Sequence, residues 1–173
     1  MRIRPKPWLA LPFVDRYVES ARRTPPPEFH IVGARPSEAV RALAAQPGVQ
    51  VTGAVPDTRP WLAHAALAVA PLRIARGIQN KVLEAMAMAR PVVASPEAFE
   101  GIAAQPGRDL LVADGAAETI ARVAEVLDGR HPGLGAAGRR AMAAAHDWRA
   151  TLRRLDAVLA PAQAPRVLAE VVP

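Results

Sequence analysis
The chain has 173 residues, 51% of them hydrophobic but only 4% aromatic, and a formal charge of +6; at ~100–200 residues per domain this supports one domain and a tail, not two lobes. With no cysteine, disulfides, thiol nucleophiles and cysteine-ligated metals are excluded. No apolar run approaches the ~20 residues of a membrane span. The lysines and arginines, 22 together, lie scattered among acidic residues without interleaved aromatics, so no nucleic-acid partner is expected.

In chain order, residues 1–7 (MRIRPKP) are basic and proline-broken and predict no regular element. Pro12 suits the first turn of an amphipathic helix running to about residue 23, with Phe13, Val14, Tyr17 and Val18 on its buried stripe. Pro25, Pro26 and Pro27 end it. From there strands at 29–32, 49–52, 66–70, 91–94 and 110–112 alternate with helices at 37–45, 58–65, 80–89 and 116–127. The strands carry almost no polar alternation, which predicts a Rossmann-like parallel α/β sheet with helices on both faces. Beyond Gly133 a helical pair, 136–145 and 148–159, is expected to pack back on the sheet. The expected organisation is therefore a basic segment 1–7, one α/β domain over 8–160 and a tail 161–173.

Ligands of doubly wound sheets sit beyond the carboxyl ends of the strands. The informative loop follows the third strand and reads Pro71-Leu72-Arg73-Ile74-Ala75-Arg76-Gly77-Ile78-Gln79, then opens a helix at Asn80-Lys81-Val82-Leu83-Glu84. Asn80 is the expected N-cap, and free N–H groups after it form an anion site. Lys81 lies in the first turn, where the helix dipole disfavours a cation unless an anionic ligand is present. Lys81 and Glu84 are three apart and share a face. An ammonium for a diphosphate and a carboxylate for a ribose diol then project into one cleft, with Arg73 and Arg76 adding bidentate contacts and Gly77 allowing close backbone approach. The plainer alternative is an exposed Lys81–Glu84 ion pair worth under ~1 kcal/mol beside solvated arginines. Only Lys6 and Lys81 are lysines in this arginine-rich chain, which favours the functional reading of Lys81.

Other candidates carry less. His30, His64, His131 and His146 lack metal-ligand spacing and read as structural or surface residues. Gly33-Ala34-Arg35-Pro36 lacks the second glycine of a dinucleotide turn. Adjacent His146 and Asp147 do not face each other on a helix, and Trp148 reads as an anchor for the terminal helices. Glu97 and Glu100 stand either near the ligand cleft or on a solvated loop.

Residues 29–114 resemble the C-terminal, nucleotide-sugar-binding half of GT-B glycosyltransferases of the family 4 type. The matching pieces are Phe29-His30-Ile31-Val32-Gly33, Val51-Thr52-Gly53-Ala54-Val55 with Asp57, Ala68-Val69-Ala70-Pro71-Leu72-Arg73, and Gly77 through Ala87 leading to Arg90-Pro91-Val92-Val93-Ala94. The pattern is most similar to sugar transferases of exopolysaccharide clusters associated with exosortase (PEP-CTERM) systems. The resemblance implies retaining transfer of a sugar from a nucleoside diphosphate to a glycan or lipid-linked acceptor, with no cofactor and no obligatory metal. It implies that Arg73, Arg76, Gly77, Asn80 and Lys81 meet the diphosphate, Glu84 holds the ribose and Val55 faces the base; it assigns no catalytic residue. Arg76 stands eight residues before Glu84, where many relatives carry a glutamate toward the sugar. Relatives also carry an N-terminal acceptor lobe and a first strand of the donor lobe, neither of which this sequence matches. In a 3-2-1-4-5-6 order that strand is central, so its absence predicts an unsatisfied strand edge. The implied partners are a nucleotide-sugar donor and a separately encoded acceptor lobe, at a cytoplasmic site peripheral to the inner membrane. The alternatives from other classes are a degenerate remnant or non-catalytic nucleotide-binding interaction module, and a basic module for RNA or anionic membrane.

Overall fold
Short apolar runs bounded by glycine, proline and small polar residues become five strands in the computed structural model, which describes residues 27–75, 77–146 and 152. Strand β1 (Phe29–Val32) leads through α1 (Glu38–Ala42) and a 3-10 turn (Leu43–Ala45) to β2 (Val49–Gly53). Ser37 caps α1, its Oγ accepting from the Val40 N–H at 3.3 Å. After α2 (Arg59–His64) come β3 (Ala68–Ala70), α3 (Asn80–Ala87), β4 (Val92–Ala94), α4 (Pro96–Phe99), β5 (Leu111–Val112), α5 (Gly115–Leu127) and α6 (Leu134–His146). The alternation of strand and helix is the one the sequence predicts, with ends displaced by one or two residues. The four-residue α4 is an element the sequence does not announce. The expected helix at 12–23, all of the expected helix 148–159 but residue 152, the basic segment 1–7 and the tail lie outside the described residues.

All strand pairings among the described residues are parallel, but they form two ladders. One joins β1 to β2, with Phe29 opposite Val49 and a register irregularity between Ile31 and Val32. The other runs β3-β4-β5, with Val69 opposite Val93 and Val93 opposite Leu111. Among the described residues no pairing joins β1 to β3.

The sheet has an apolar layer on each side. Val93, Leu111 and Val49 meet Leu43, Val123 and Leu134, with Phe29, Ile31, Leu67 and Val69 packed against them. Ala70, Val92 and Ala94 meet Val82, Ala85, Met86 and Leu110. Burial on both faces is why these strands lack polar alternation.

Helix α3 is held from behind by α6. A Cβ built at Gly135 would overlap the Ala89 carbonyl oxygen and sit 2.8 Å from its carbon; one at Gly138 would sit 2.6 Å from the Asp109 carbonyl oxygen. Hydrogen therefore replaces a side chain at both positions so that α6 can touch backbone directly. Helix α3 ends in a Schellman arrangement, with Arg90 N–H bonded to Ala85 O at 3.0 Å and Ala89 N–H to Met86 O at 2.9 Å. The left-handed residue is Ala89 (φ 54°), where α5 uses Gly129 (φ 72°) in the same role.

Candidate functional site
The loop at 71–79 leaves the carboxyl end of β3 and returns into α3, at the sheet end where doubly wound folds bind ligands. Its start is fixed by Leu72 N–H bonding back to Ala70 O (3.0 Å) and by Ser95, whose Oγ donates to Leu72 O at 2.5 Å. The same Oγ accepts from Ala98 N–H at 3.2 Å and so caps α4. One buried hydroxyl thus ties the loop carrying Arg73 to the end of β4. At the far end of the loop Gly77 adopts φ 70°, and the Gln79 amide turns back to donate to Gly77 O at 2.8 Å. Ile74 and Ile78 stand 63% and 48% exposed, while a Cβ at Gly101 would lie 3.5 Å from the Ile78 side chain. Loop 71–79 and the turn after α4 therefore adjoin.

The expected N-cap is corrected by one position. Asn80 is the first helical residue, and Gln79 (φ −88°, ψ 97°) occupies the cap without a side-chain bond. The Gln79 side chain is committed to Gly77, which leaves the helix start chemically open. The first bond closing the turn is Val82 N–H to Gln79 O at 2.9 Å, so the amides of Asn80 and Lys81 precede the intrahelical ladder. Val82, Ala85 and Met86 turn into the core. That places Lys81 and Glu84 on the opposite, exposed face. Neither joins an ion pair or side-chain hydrogen bond with a described residue, so the plain alternative of a Lys81–Glu84 salt bridge is not what the structure holds. Lys81 sits where the helix dipole opposes it, uncompensated by its neighbour.

Val55 lies half-buried in the turn beyond the carboxyl end of β2. That turn is pinned by Asp57, which accepts from Arg59 N–H at 2.9 Å and from its guanidinium at 3.0 Å; the guanidinium bond holds the Asp57 carboxyl below its ordinary value. Arg73 is exposed on its loop, and Arg76 lies outside the described residues. Glu97 is half-buried on α4 and Glu100 exposed just after it, both beyond the carboxyl end of β4. Thus Val55, Arg73, Gly77, Asn80, Lys81 and Glu84 all fall on carboxyl-end loops or the helix start that follows.

Three of the four histidines are engaged locally, while His146 Nε2 is buried with no hydrogen-bond partner among the described residues. His30 Nε2 meets Glu28 at 2.9 Å, and its ring lies 5.5 Å from that of Trp61. His64 Nδ1 meets Pro60 O at 2.7 Å, and His131 Nε2 meets Glu125 at 3.0 Å. Glu125 is held below its ordinary pKa by His131 first and Arg122 second. Among the described residues no group of three His, Asp or Glu side chains could hold a metal ion, and no helix is long and apolar enough to cross a membrane. A concavity lined by Ala104, Arg108, Asp109 and Ala141 lies on the approach to β5, away from the loops that carry the site. Sequence reasoning missed Ser95 and Gly101. For Ser95 a signal existed, because Ser95-Pro96 is the N-cap and first-residue pair of a helix start.

A parallel sheet with helices on both faces and an open helix start beyond its strand ends is a Rossmann-like α/β domain of the kind that builds GT-B glycosyltransferases. Residues 9–128 match the family model described as glycosyl transferases group 1, and the chain belongs to that family. In fold it is similar to Anabaena HepE crystallised with UDP, with TM-score 0.75 and 13% identity over 91% of this chain and 46% of that one. A glycosyltransferase from Rickettsia africae gives TM-score 0.74 and 15% identity over 94% and 48%. Sucrose-phosphate synthase from Thermosynechococcus elongatus gives 0.67 and 19% over 84% and 41%. The chain thus spans less than half the length of these structures. No curated protein matches it in sequence.

Proposed function
We propose that this chain is the donor-binding lobe of a sugar transferase and takes a nucleoside diphosphate sugar as substrate. In this reading the open amides of Asn80 and Lys81, the Lys81 ammonium, Arg73, Arg76 and Gly77 meet the diphosphate. Glu84 accepts from the ribose hydroxyls and Val55 lies beside the base. The observation that carries it is Lys81, unpaired in the first turn of α3 with Glu84 one turn away on the same exposed face. A cation there opposes the dipole by ~0.3–1 kcal/mol, and a bound diphosphate converts that opposition into attraction. Support comes from the fold's likeness to HepE, which was crystallised with UDP and with UDP-glucose.

Transfer needs an acceptor site facing the donor across a cleft. In this proposal an acceptor lobe supplies it, and the two lobes extend a glycan or lipid-linked acceptor in exopolysaccharide synthesis at the cytoplasmic face of the membrane. The test is calorimetric titration of the folded chain with UDP. Saturable binding that weakens in Lys81→Ala and Glu84→Gln is expected; no saturable binding would remove the proposal. The lack of pairing between β1 and β3 among the described residues favours one second reading, a non-catalytic nucleotide-binding interaction module. That reading predicts UDP binding with no sugar transfer when an acceptor lobe is supplied.

A further inference from the structure
Both ends of loop 71–79 rest on residues 95–101. At the entry, Ala70 O accepts two bonds, from Leu72 N–H at 3.0 Å and from Ser95 N–H at 3.1 Å. The first closes a γ-turn over Pro71; the second fixes the Ser95 backbone against β3. Ser95 is held again from its own side, since its O accepts from Phe99 N–H at 3.0 Å and its Oγ from Ala98 N–H at 3.2 Å. A hydroxyl has one proton to give, and here it goes to Leu72 O at 2.5 Å. Ser95 is only 8% exposed, so burial shields that bond from water. At the exit of the loop, a Cβ at Gly101 would lie 3.5 Å from the Ile78 side chain. The residue next to the anchored Leu72 carbonyl is Arg73.

We infer that Ser95 is a positioning residue for diphosphate binding: its hydroxyl sets the direction in which Arg73 leaves the end of the sheet and so holds the guanidinium in reach of an anion at the start of α3. The inference rests on the donor-lobe reading above. Ser95 acts through Arg73 and is not itself a ligand contact. The mechanism follows from peptide planarity, because Leu72 O lies in the same rigid plane as the Arg73 Cα. Fixing that oxygen fixes the point from which the arginine side chain starts. On a free loop, grasping a phosphate would cost the ordering of the backbone as well as of the side chain; on an anchored one the backbone is already ordered. Lys81 needs no such anchor, since Val82, Ala85 and Met86 seat α3 in the core. The two cations therefore depend on Ser95 unequally, Arg73 strongly and Lys81 hardly at all.

The test is calorimetric titration of the full chain with UDP, at a temperature where circular dichroism shows each variant folded. Ser95→Ala is expected to weaken UDP binding roughly tenfold, and Ser95→Thr, which keeps the hydroxyl, to recover most of that loss. A double-mutant cycle separates positioning from mere stabilisation of the fold. Once Arg73→Ala has removed the guanidinium, adding Ser95→Ala weakens binding no further, whereas with Lys81→Ala the two losses multiply. If Ser95→Ala does not fold, Ser95→Cys, which keeps the bulk but offers a weaker S–H donor, takes its place in the cycle. Parental UDP affinity in the Ser95 variant, with only the melting temperature lowered, would overturn the inference and leave the donor-lobe reading intact. Losses that multiply with Arg73→Ala would overturn it too, because Ser95 would then act elsewhere. A parent chain that binds no UDP would remove the donor-lobe reading, and the inference with it.

Discussion

Gly135→Ala sets two effects of opposite sign against each other. Gly135 is the second residue of α6, where alanine is favoured over glycine by less than the ~1 kcal/mol of a helix interior, so propensity alone predicts a slightly more stable protein. Packing predicts the reverse. The new methyl would sit 2.8 Å from the Ala89 carbonyl carbon and 3.1 Å from that of Arg90, besides overlapping the Ala89 oxygen. These are backbone atoms at the end of α3, so no side-chain rotation relieves the contact and α6 must withdraw. Overpacking of this kind costs about 1–3 kcal/mol, and contact with backbone places it at the upper end. The net expectation is a loss of about 2 kcal/mol, or a fall in melting temperature of roughly 4–8 °C for a chain of this size. Thermal unfolding followed by circular dichroism reads it directly, with Ala136→Gly on the exposed face of α6 as a reference for propensity alone. A variant as stable as the parent, or more stable, would refute the claim that α6 and α3 are in backbone contact. The displaced α3 carries Lys81 and Glu84, so the same variant should also bind UDP more weakly.

Other outcomes follow from the same geometry. Lys81→Ala removes a charge-assisted contact worth about 1.5–3 kcal/mol, which calorimetry should record as a UDP affinity loss of roughly 10- to 150-fold, while the melting temperature of the free chain does not fall because a cation opposing the helix dipole is removed. Ser95→Ala leaves Leu72 O and Ala98 N–H without their hydroxyl partner and should lower stability by about 1–3 kcal/mol in urea titration, with Ser95→Thr recovering most of it. Ala89→Gly relieves a left-handed alanine and should stabilise by about 0.5–1 kcal/mol in the same assay. Asp109, 3% exposed, accepts from Gln105 N–H at 2.9 Å and from Arg108 at 2.8 and 2.9 Å. The Arg108 hydrogen bonds hold its carboxyl below the ordinary 3.8. Its contribution is therefore complete above that value and is lost as pH falls through the lowered folded pKa; Asp109→Asn should flatten the acid limb of a stability-versus-pH curve.

The elements were legible because their signals are local. Val92-Val93-Ala94 and Phe29-His30-Ile31-Val32 are short, largely apolar runs between breakers, and burial on both faces of a parallel sheet leaves that trace in composition. The start of α3 was legible to the residue, but not its cap, because Asn80 and Gln79 are both capable of that position and the choice fell to the Gln79–Gly77 bond. Lys81 and Glu84 could be placed on one face by spacing alone. That they remain unpaired with each other could not, since spacing permits a salt bridge as readily as two free charges. Ser95 escaped notice because its partner, Leu72, lies across the sheet on a neighbouring loop.

Sequence by itself therefore determined the order of strands and helices, the parallel class of the sheet and the residues at the open helix start, all properties of windows a few residues long. Tertiary structure alone decided the rest. It brought Gly135 and Gly138 against the backbone at Ala89 and Asp109 and joined loop 71–79 to α4 through Ser95. Each of these depends on two segments meeting in space, and the free energy of such a meeting is written in neither segment alone.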